Sequence, residues 1–219
     1  MATLLVIDTE TTGLRPPIGV VEVAWIEMDS DLESIGEFSA LVNPGLPIEP
    51  GAQAVHGICI DMVATSPPLG EVLIPWAGKP VILAAHNLPY DLRLVGPHLA
   101  VVGEVCTLAL SRQYYPKAPN HKLTTMQTYL GLPEFDAHRA MGDVRTTHRL
   151  LQRIVRDHGL VFDLIVQRQA LPRMLLTMPF GKHKGDTITE VPPAYRRWLL
   201  ENGNLDKDLR YTLTTLEHL

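Results

Sequence analysis

The sequence predicts an α/β fold, a mixed sheet with helices packed on its faces, followed by a small second module. Three observations predict it. Apolar runs of strand length open the chain as a meander, and later ones alternate with segments of helical period, which is the pattern of a mixed sheet. The pattern changes near Pro172, where short apolar stretches, a basic turn and two helix-like segments follow. The chain has 219 residues, enough for one α/β domain of ordinary size with about forty residues left over.

The elements follow in order. Residues 3–8, with the run Leu4-Leu5-Val6-Ile7, read as a buried strand. Val20 to Met28 alternates in places, with Val21, Val23 and Trp25 against Glu22, Ala24 and Ile26, and reads as a second strand. Asp29-Ser30-Asp31 is a turn from which Ser34 to Val42 returns as a third. Asn43 to Gly51 is rich in Pro and Gly and reads as a loop. A helix is expected after Ser66-Pro67-Pro68, with Ser as cap and Pro in the first turn. Val81 to Ala85 is a short strand, and helices are expected over 89–95, 107–114, 122–130 and 140–158. Beyond Pro172 come the apolar stretch Met174 to Phe180 and the basic turn Gly181-Lys182-His183-Lys184-Gly185. A helix through Trp198-Leu199-Leu200 and a last one running to Leu219 complete a small α+β module, too short to build a large core alone.

Composition excludes several classes. Hydrophobic residues are 46% and charged residues 20%, as in a soluble globular protein, and no apolar run approaches the roughly 18 residues of a membrane span. The first residues lack the basic start and long apolar core of a secretory signal. Cys59 and Cys106 sit in apolar surroundings without metal-type spacing, so buried thiols in a reducing cytoplasm are expected. The net charge of −5 does not advertise nucleic-acid binding. Its distribution is uneven: residues 1–171 carry 12 basic against 18 acidic residues, giving −6, and residues 172–219 carry 7 against 6, giving +1. Composition therefore permits a nucleic-acid partner without arguing for one.

The chemistry lies in carboxylates placed where a fold avoids them. Side chains on a strand alternate, so Asp8 and Glu10 point to one side at the end of the first strand. Two ionised carboxylates that close repel each other, and divalent cations with oxygen ligands are the usual remedy. Taken alone, such a pair reads first as a solvated turn. Asp91 falls in the first turn of a helix, on the apolar side with Leu94 and Val95; the helix dipole alone would accommodate it there. Asp143 leads the stripe Thr147, Leu150 and Ile154 of a long amphipathic helix and so faces inward. A buried carboxylate needs a cation, a hydrogen-bond network or a raised pKa, and Arg139, one turn earlier, is a candidate partner. His138 lies just before this helix and would overhang the same place, where a near-neutral imidazole could take a proton from water.

Three segments then carry a resemblance: Ile7-Asp8-Thr9-Glu10-Thr11-Thr12-Gly13-Leu14, Ala85-His86-Asn87-Leu88-Pro89-Tyr90-Asp91, and Ala137-His138-Arg139-Ala140-Met141-Gly142-Asp143-Val144. In order and spacing they resemble the DEDDh family of 3′–5′ exonucleases, over about residues 1–160. Val55-His56-Gly57-Ile58 looks like a further recurrent segment of that family. Residues 178–185 and 193–199 look like the C-terminal module of one exodeoxyribonuclease within it.

The resemblance implies a ribonuclease H-like fold, an exonuclease domain over 1–165 and a C-terminal module over 173–219. It implies that Asp8, Glu10, Asp91 and Asp143 hold two Mg²⁺ ions, for which Mn²⁺ could substitute, and that His138 is the general base of phosphodiester hydrolysis. Nucleoside 5′-monophosphates would leave the 3′ ends of single-stranded or duplex DNA, in a cytoplasmic repair role. Thr11, Leu14, His56, Gly57, Ile58 and His138 would contact substrate, with Leu14 as a wedge beside the terminal base and Ile58 stacked on a base. His86 and Asn87 would shape their loop. Lys182, Lys184, Arg196 and Arg197 are candidate phosphate contacts, against a merely solvated surface. A polymerase proofreading subunit, a 3′-trimming ribonuclease and a non-catalytic nucleic-acid-binding protein are the alternatives.

Overall fold

The computed structural model describes residues 2–218 apart from Ala137, Arg173, Asn204 and Asp206. Ala137 of the third acidic segment, and Arg173 and Leu219 at the ends of the expected C-terminal module, thus lie outside the described residues. The chain divides into two compact units, Met1–Arg168 and Gln169–Leu219.

The first unit is built on a five-stranded sheet in the order β3-β2-β1-β4-β5. The strands are β1 (Thr3–Thr11), β2 (Val20–Met28), β3 (Ser34–Leu41), β4 (Pro80–Ala85) and β5 (Ala100–Cys106). β2 runs antiparallel to β1 and to β3, whereas β4 is parallel to β1 and to β5, so the sheet is mixed as expected. Leu4 to Ile7 are all buried because β1 is central and covered on both faces.

Alternation along β1 decides which residues meet which helix. Leu4 and Val6 pack with Ala140, Val144, Leu150, Leu151 and Ile154 of α7 (Ala140–His158). Leu5 and Ile7 point the other way, against Leu88 and Val95 of α4 (Leu88–Val95) together with Leu73 and Trp76. Asp8 and Glu10 continue the α7 side, and Thr9 continues the α4 side. The remaining helices of the unit are α1 (Pro50–His56), α2 (Ile60–Val63), α3 (Leu69–Val72), α5 (Thr107–Tyr114), α6 (Leu123–Leu130) and α8 (Phe162–Ala170).

Several features, the short helix α2 among them, differ from the sequence reading. β5 was not expected: it is an edge strand, largely open on one side, whose Gly103 and Glu104 interrupt the apolar alternation. α1 starts at Pro50 and lies partly in a segment read as loop, since Pro50 and Gly51 are weak helix signals that here occupy the first turn. α8 follows α7 after a Gly159 cap in the left-handed conformation. β2 is buried on both faces, so Glu22 is inside the protein and not on a wet face. Cys59 and Cys106 are half-buried.

The second unit packs Met178, Ile188, Val191, Leu199, Leu205, Leu209 and Leu213 into its own small core. It contains α9 (Pro193–Asn202) and α10 (Lys207–Glu217). Among the described residues its strand content is limited to the bridge between Thr177 and Thr187.

Candidate active site

The register of β1 brings three of the four expected acids together. Asp8 and Glu10 project from the end of β1 on the α7 side, and Asp143 lies in the first turn of α7. Each offers a carboxylate oxygen, and these oxygens lie within 4.8 Å of one another, a spacing suited to a shared cation. Among the described residues this is the group of carboxylate, imidazole or thiol side chains with that geometry.

Asp91 arrives from the opposite face. It is buried in the first turn of α4 and accepts a hydrogen bond from the Thr9 hydroxyl at 2.8 Å. Because Thr9 separates Asp8 from Glu10 on the strand, that bond fixes Asp91 beside the pair. β1 and β4 are parallel, so both acids of β1 and the helix leaving β4 gather at one end of the sheet, where open α/β sheets bind ligands.

Two non-glycine residues hold a left-handed backbone at the entrances to these helices: Asn87 (φ 72°) before α4 and His138 (φ 61°) before α7. Such a conformation costs on the order of 1 kcal/mol and persists where the surroundings impose it. His86 contributes to the first entrance, with one ring nitrogen 2.9 Å from the Thr107 hydroxyl and the other 2.8 Å from the His121 carbonyl. Burial holds its pKa down to about 4, against the pull of that carbonyl. His86 and Asn87 thus shape their loop, as expected. His138 is exposed to solvent beside Asp143, whose carboxylate accepts a hydrogen bond from the His138 backbone.

The electrostatics are those of buried carboxylates crowded together. Burial, joined by repulsion from Asp91, Asp143, Glu10 and Glu22, pushes the Asp8 carboxyl well above the usual carboxylate range. Burial and the charges of Asp143, Glu22 and Asp91 raise Glu10 to about 7. Burial raises Asp91 to about 7 although the Thr9 bonds oppose it. Burial raises Asp143 too, against the opposing charge of His138. Divalent cations would remove this penalty, and the donor set, four hard oxygen ligands, fits Mg²⁺ or Mn²⁺.

Several substrate expectations need correction. Arg139 does not pair with Asp143. It forms a two-pronged bridge to Glu22, Nη2 to Oε1 at 2.8 Å and Nε to Oε2 at 3.1 Å. Ile58 is fully buried against Val21 and Val63 and presents no face on which a base could stack. His56 is also inside, with one ring nitrogen 3.2 Å from the Thr11 carbonyl and the other accepting the Ile58 amide at 3.0 Å. Gly57 alone of that trio is exposed, in the left-handed backbone that ends α1. The Thr11 hydroxyl is engaged by the Tyr90 hydroxyl (2.7 Å) and the Gly13 carbonyl (3.1 Å). Leu14 is 78% exposed, open to a ligand.

In the second unit, Arg196 is turned inward, near Glu217 and donating to the Ile188 and Thr189 carbonyls, so it is no phosphate contact. Arg197 is exposed but lies 3.5 Å from Glu217. Lys182 sits 4.7 Å over the Tyr195 ring, and Lys184 is exposed. Glu22 and Tyr90 are the residues that sequence reasoning missed. An acid between Val21 and Val23 in an apolar strand was the available signal for Glu22.

Comparisons with known proteins agree with this geometry. The family described as Exonuclease matches residues 5–151, and a family named for a quorum-sensing-regulated virulence factor matches residues 167–218. The chain is 34% identical to Exodeoxyribonuclease 10 of Escherichia coli strain K12, over 96% of each chain. It is 36% identical to a DNA polymerase III subunit epsilon-like protein of Rhodobacter capsulatus, over 70% of this chain but 24% of that one. Among solved structures, Exonuclease X in complex with 5′ overhanging duplex DNA superposes with a TM-score of 0.66 at 31% identity, covering 75% of this chain and 98% of that chain. E. coli Exonuclease I in complex with a dT13 oligonucleotide shares the fold at a TM-score of 0.66 and 18% identity, covering 80% of this chain and 47% of that one. The ribonuclease H-like sheet is thereby borne out.

Proposed function

The chain belongs to the exonuclease family, whose members depend on divalent metal, and from that premise we propose a 3′–5′ exodeoxyribonuclease that releases nucleoside 5′-monophosphates. The observation that carries the proposal is the convergence of Asp8, Glu10 and Asp143 with Asp91 alongside, all with carboxyls raised by burial. DNA is the substrate in this reading because the relative matched over nearly its whole length is a deoxyribonuclease, and the superposed Exonuclease X structure contains duplex DNA. The polymerase-linked relatives favour a proofreading subunit less, since the chain spans only 24% of the one from Rhodobacter capsulatus.

The four carboxylates would hold two Mg²⁺ ions, with Mn²⁺ as a substitute. When bound, such ions supply Lewis-acid charge at the scissile phosphate and make water acidic enough to attack at neutral pH. His138, exposed at the rim, takes the proton of the attacking water, and the Asp143 carboxylate steadies it by accepting a hydrogen bond from the His138 backbone. Leu14 stands free to wedge beside the terminal base, and Gly57 offers a backbone that a nucleotide can approach closely. Residues 1–165 form the catalytic domain in this reading. The module over 173–219 contributes Lys182, Lys184 and Arg197 as phosphate contacts. Repair work in a cytoplasm belongs to the same proposal, by analogy with the bacterial relative.

The test is degradation of 5′-labelled single-stranded and duplex DNA, and of matched RNA, with Mg²⁺ or with chelator. Stepwise shortening of DNA from its 3′ end, abolished by chelator, is expected. Internal cutting, activity in chelator, or preference for RNA would overturn it.

A further inference from the structure

Glu22 lies inside the sheet on β2, directly across from Glu10, yet it takes no part in the cluster of three. Its carboxylate is 4% exposed and fully occupied elsewhere. Oε2 accepts the Ala140 amide at 3.0 Å and the Arg139 Nε at 3.1 Å; Oε1 accepts Arg139 Nη2 at 2.8 Å and lies 3.4 Å from the Ser39 hydroxyl. Burial pushes its pKa up, but the Arg139 fork and the Ala140 amide outweigh burial and hold it below the ordinary glutamate range.

Those partners are the two residues that follow His138. The Ala140 amide is one of the donors left without a partner at the start of α7, and no side chain of the cap residue Arg139 satisfies it. On the other side, the chain leading to His138 rests on the same helix turn: a Cβ at Gly142 would lie 1.8 Å from the Asp136 carbonyl oxygen. The His138 loop is thus held from two directions, by Gly142 beneath it and by Glu22 just after it. Between them His138 keeps its left-handed backbone, and the Asp143 amide donates to the Arg139 carbonyl at 3.1 Å.

We propose that Glu22 is a positioning residue, which acts through Arg139 and the Ala140 amide to fix His138 and Asp143 against the Asp8–Glu10 pair. It touches neither substrate nor metal. The inference rests on the exonuclease reading for its kinetic consequence, but its structural half stands alone. A part-buried charge-assisted bridge of this kind tethers the start of α7 to β2 across more than a hundred residues of sequence.

The test uses Glu22→Gln, Glu22→Ala and Arg139→Gln in the full chain. Amide hydrogen exchange in the metal-free protein should accelerate about tenfold or more at Ala140 and its neighbours in Glu22→Ala, while the buried middle of α7, around Leu150, stays protected. Turnover should fall about tenfold or more with KM little changed, and Glu22→Gln/Arg139→Gln should lose no more than the worse single variant. Unchanged exchange at Ala140, wild-type turnover in Glu22→Ala, or losses that add across the pair would overturn the proposal. If the wild-type protein releases no nucleotide, the exonuclease reading fails by itself, and the exchange measurement still decides the role of Glu22.

Discussion

At the scale of single residues, two kinds of evidence separate chemistry from architecture. Asp8, Glu10 and Asp143 have carboxyls raised by burial, which marks sites the fold keeps at a cost, although Asp143 also accepts the His138 backbone hydrogen bond. His56 and Thr11 look functional in the sequence, yet every polar atom of theirs that might greet a ligand is used internally. Periodicity shows which face a residue takes and not which neighbour claims it, so these misassignments were invisible to the sequence. His138 is the reverse case, being exposed and adjacent to Asp143. Replacing it with Ala should lower kcat about 100-fold or more while KM stays within about threefold, as removal of a general base does. Steady-state kinetics at pH 7.5 measures both; a loss confined to KM would show that His138 only grips substrate.

At the scale of elements, α7 carries most of the site. Its start was legible from the stripe Asp143, Thr147, Leu150 and Ile154, all of which face inward or toward the cluster. What the sequence could not show is the loop that closes on it. Gly142 reads as an ordinary weak helix former, but it leaves room for the Asp136 carbonyl. Gly142→Ala should therefore displace the His138 loop or the helix turn. The expected result is a destabilisation of about 1–3 kcal/mol and a fall in turnover larger than that of an exposed Ala substitution on the same helix. Thermal melts and kinetics on the same sample check it, and an unaltered protein would mean the close approach is not maintained. β1, β2 and β4 were legible from the apolar runs of buried inner strands, and the edge strand β3 from the Asp29-Ser30-Asp31 turn that returns the chain beside β2. β5 and α8 were not, since an edge strand with Gly103 and a helix beginning at Phe162 carry weak local signals.

At the scale of the whole molecule, the sheet exists in this arrangement to bring distant acids to one end, and their mutual repulsion burdens the metal-free fold. The sign follows from proton binding. Asp91 and Glu10 hold their protons to about 7 when folded, whereas unfolded carboxylates release theirs near 4. Between those values the folded chain binds more protons, so stability falls as pH rises through that window. Glu22, held below the ordinary glutamate range, works in the opposite sense, and its contribution is lost as pH falls below that range and not as pH rises through this window. Buried Asp91 alone would contribute about 2–3 kcal/mol of loss between pH 5 and 7, or roughly 5 °C in the melt. The decisive measurement is the melting temperature from pH 5 to pH 8, with chelator and with Mn²⁺, for the wild type and Asp8→Asn. The metal-free wild type should lose at least about 5 °C over that range, since Glu10 adds to Asp91, and Mn²⁺ should restore it at pH 8 but do little at pH 5. Asp8→Asn should melt no lower than the wild type in chelator and gain almost nothing from Mn²⁺. A melt that ignores Mn²⁺ at pH 8, or an Asp8→Asn protein stabilised by it as strongly as the wild type, would contradict the claim that these carboxylates form a cation site.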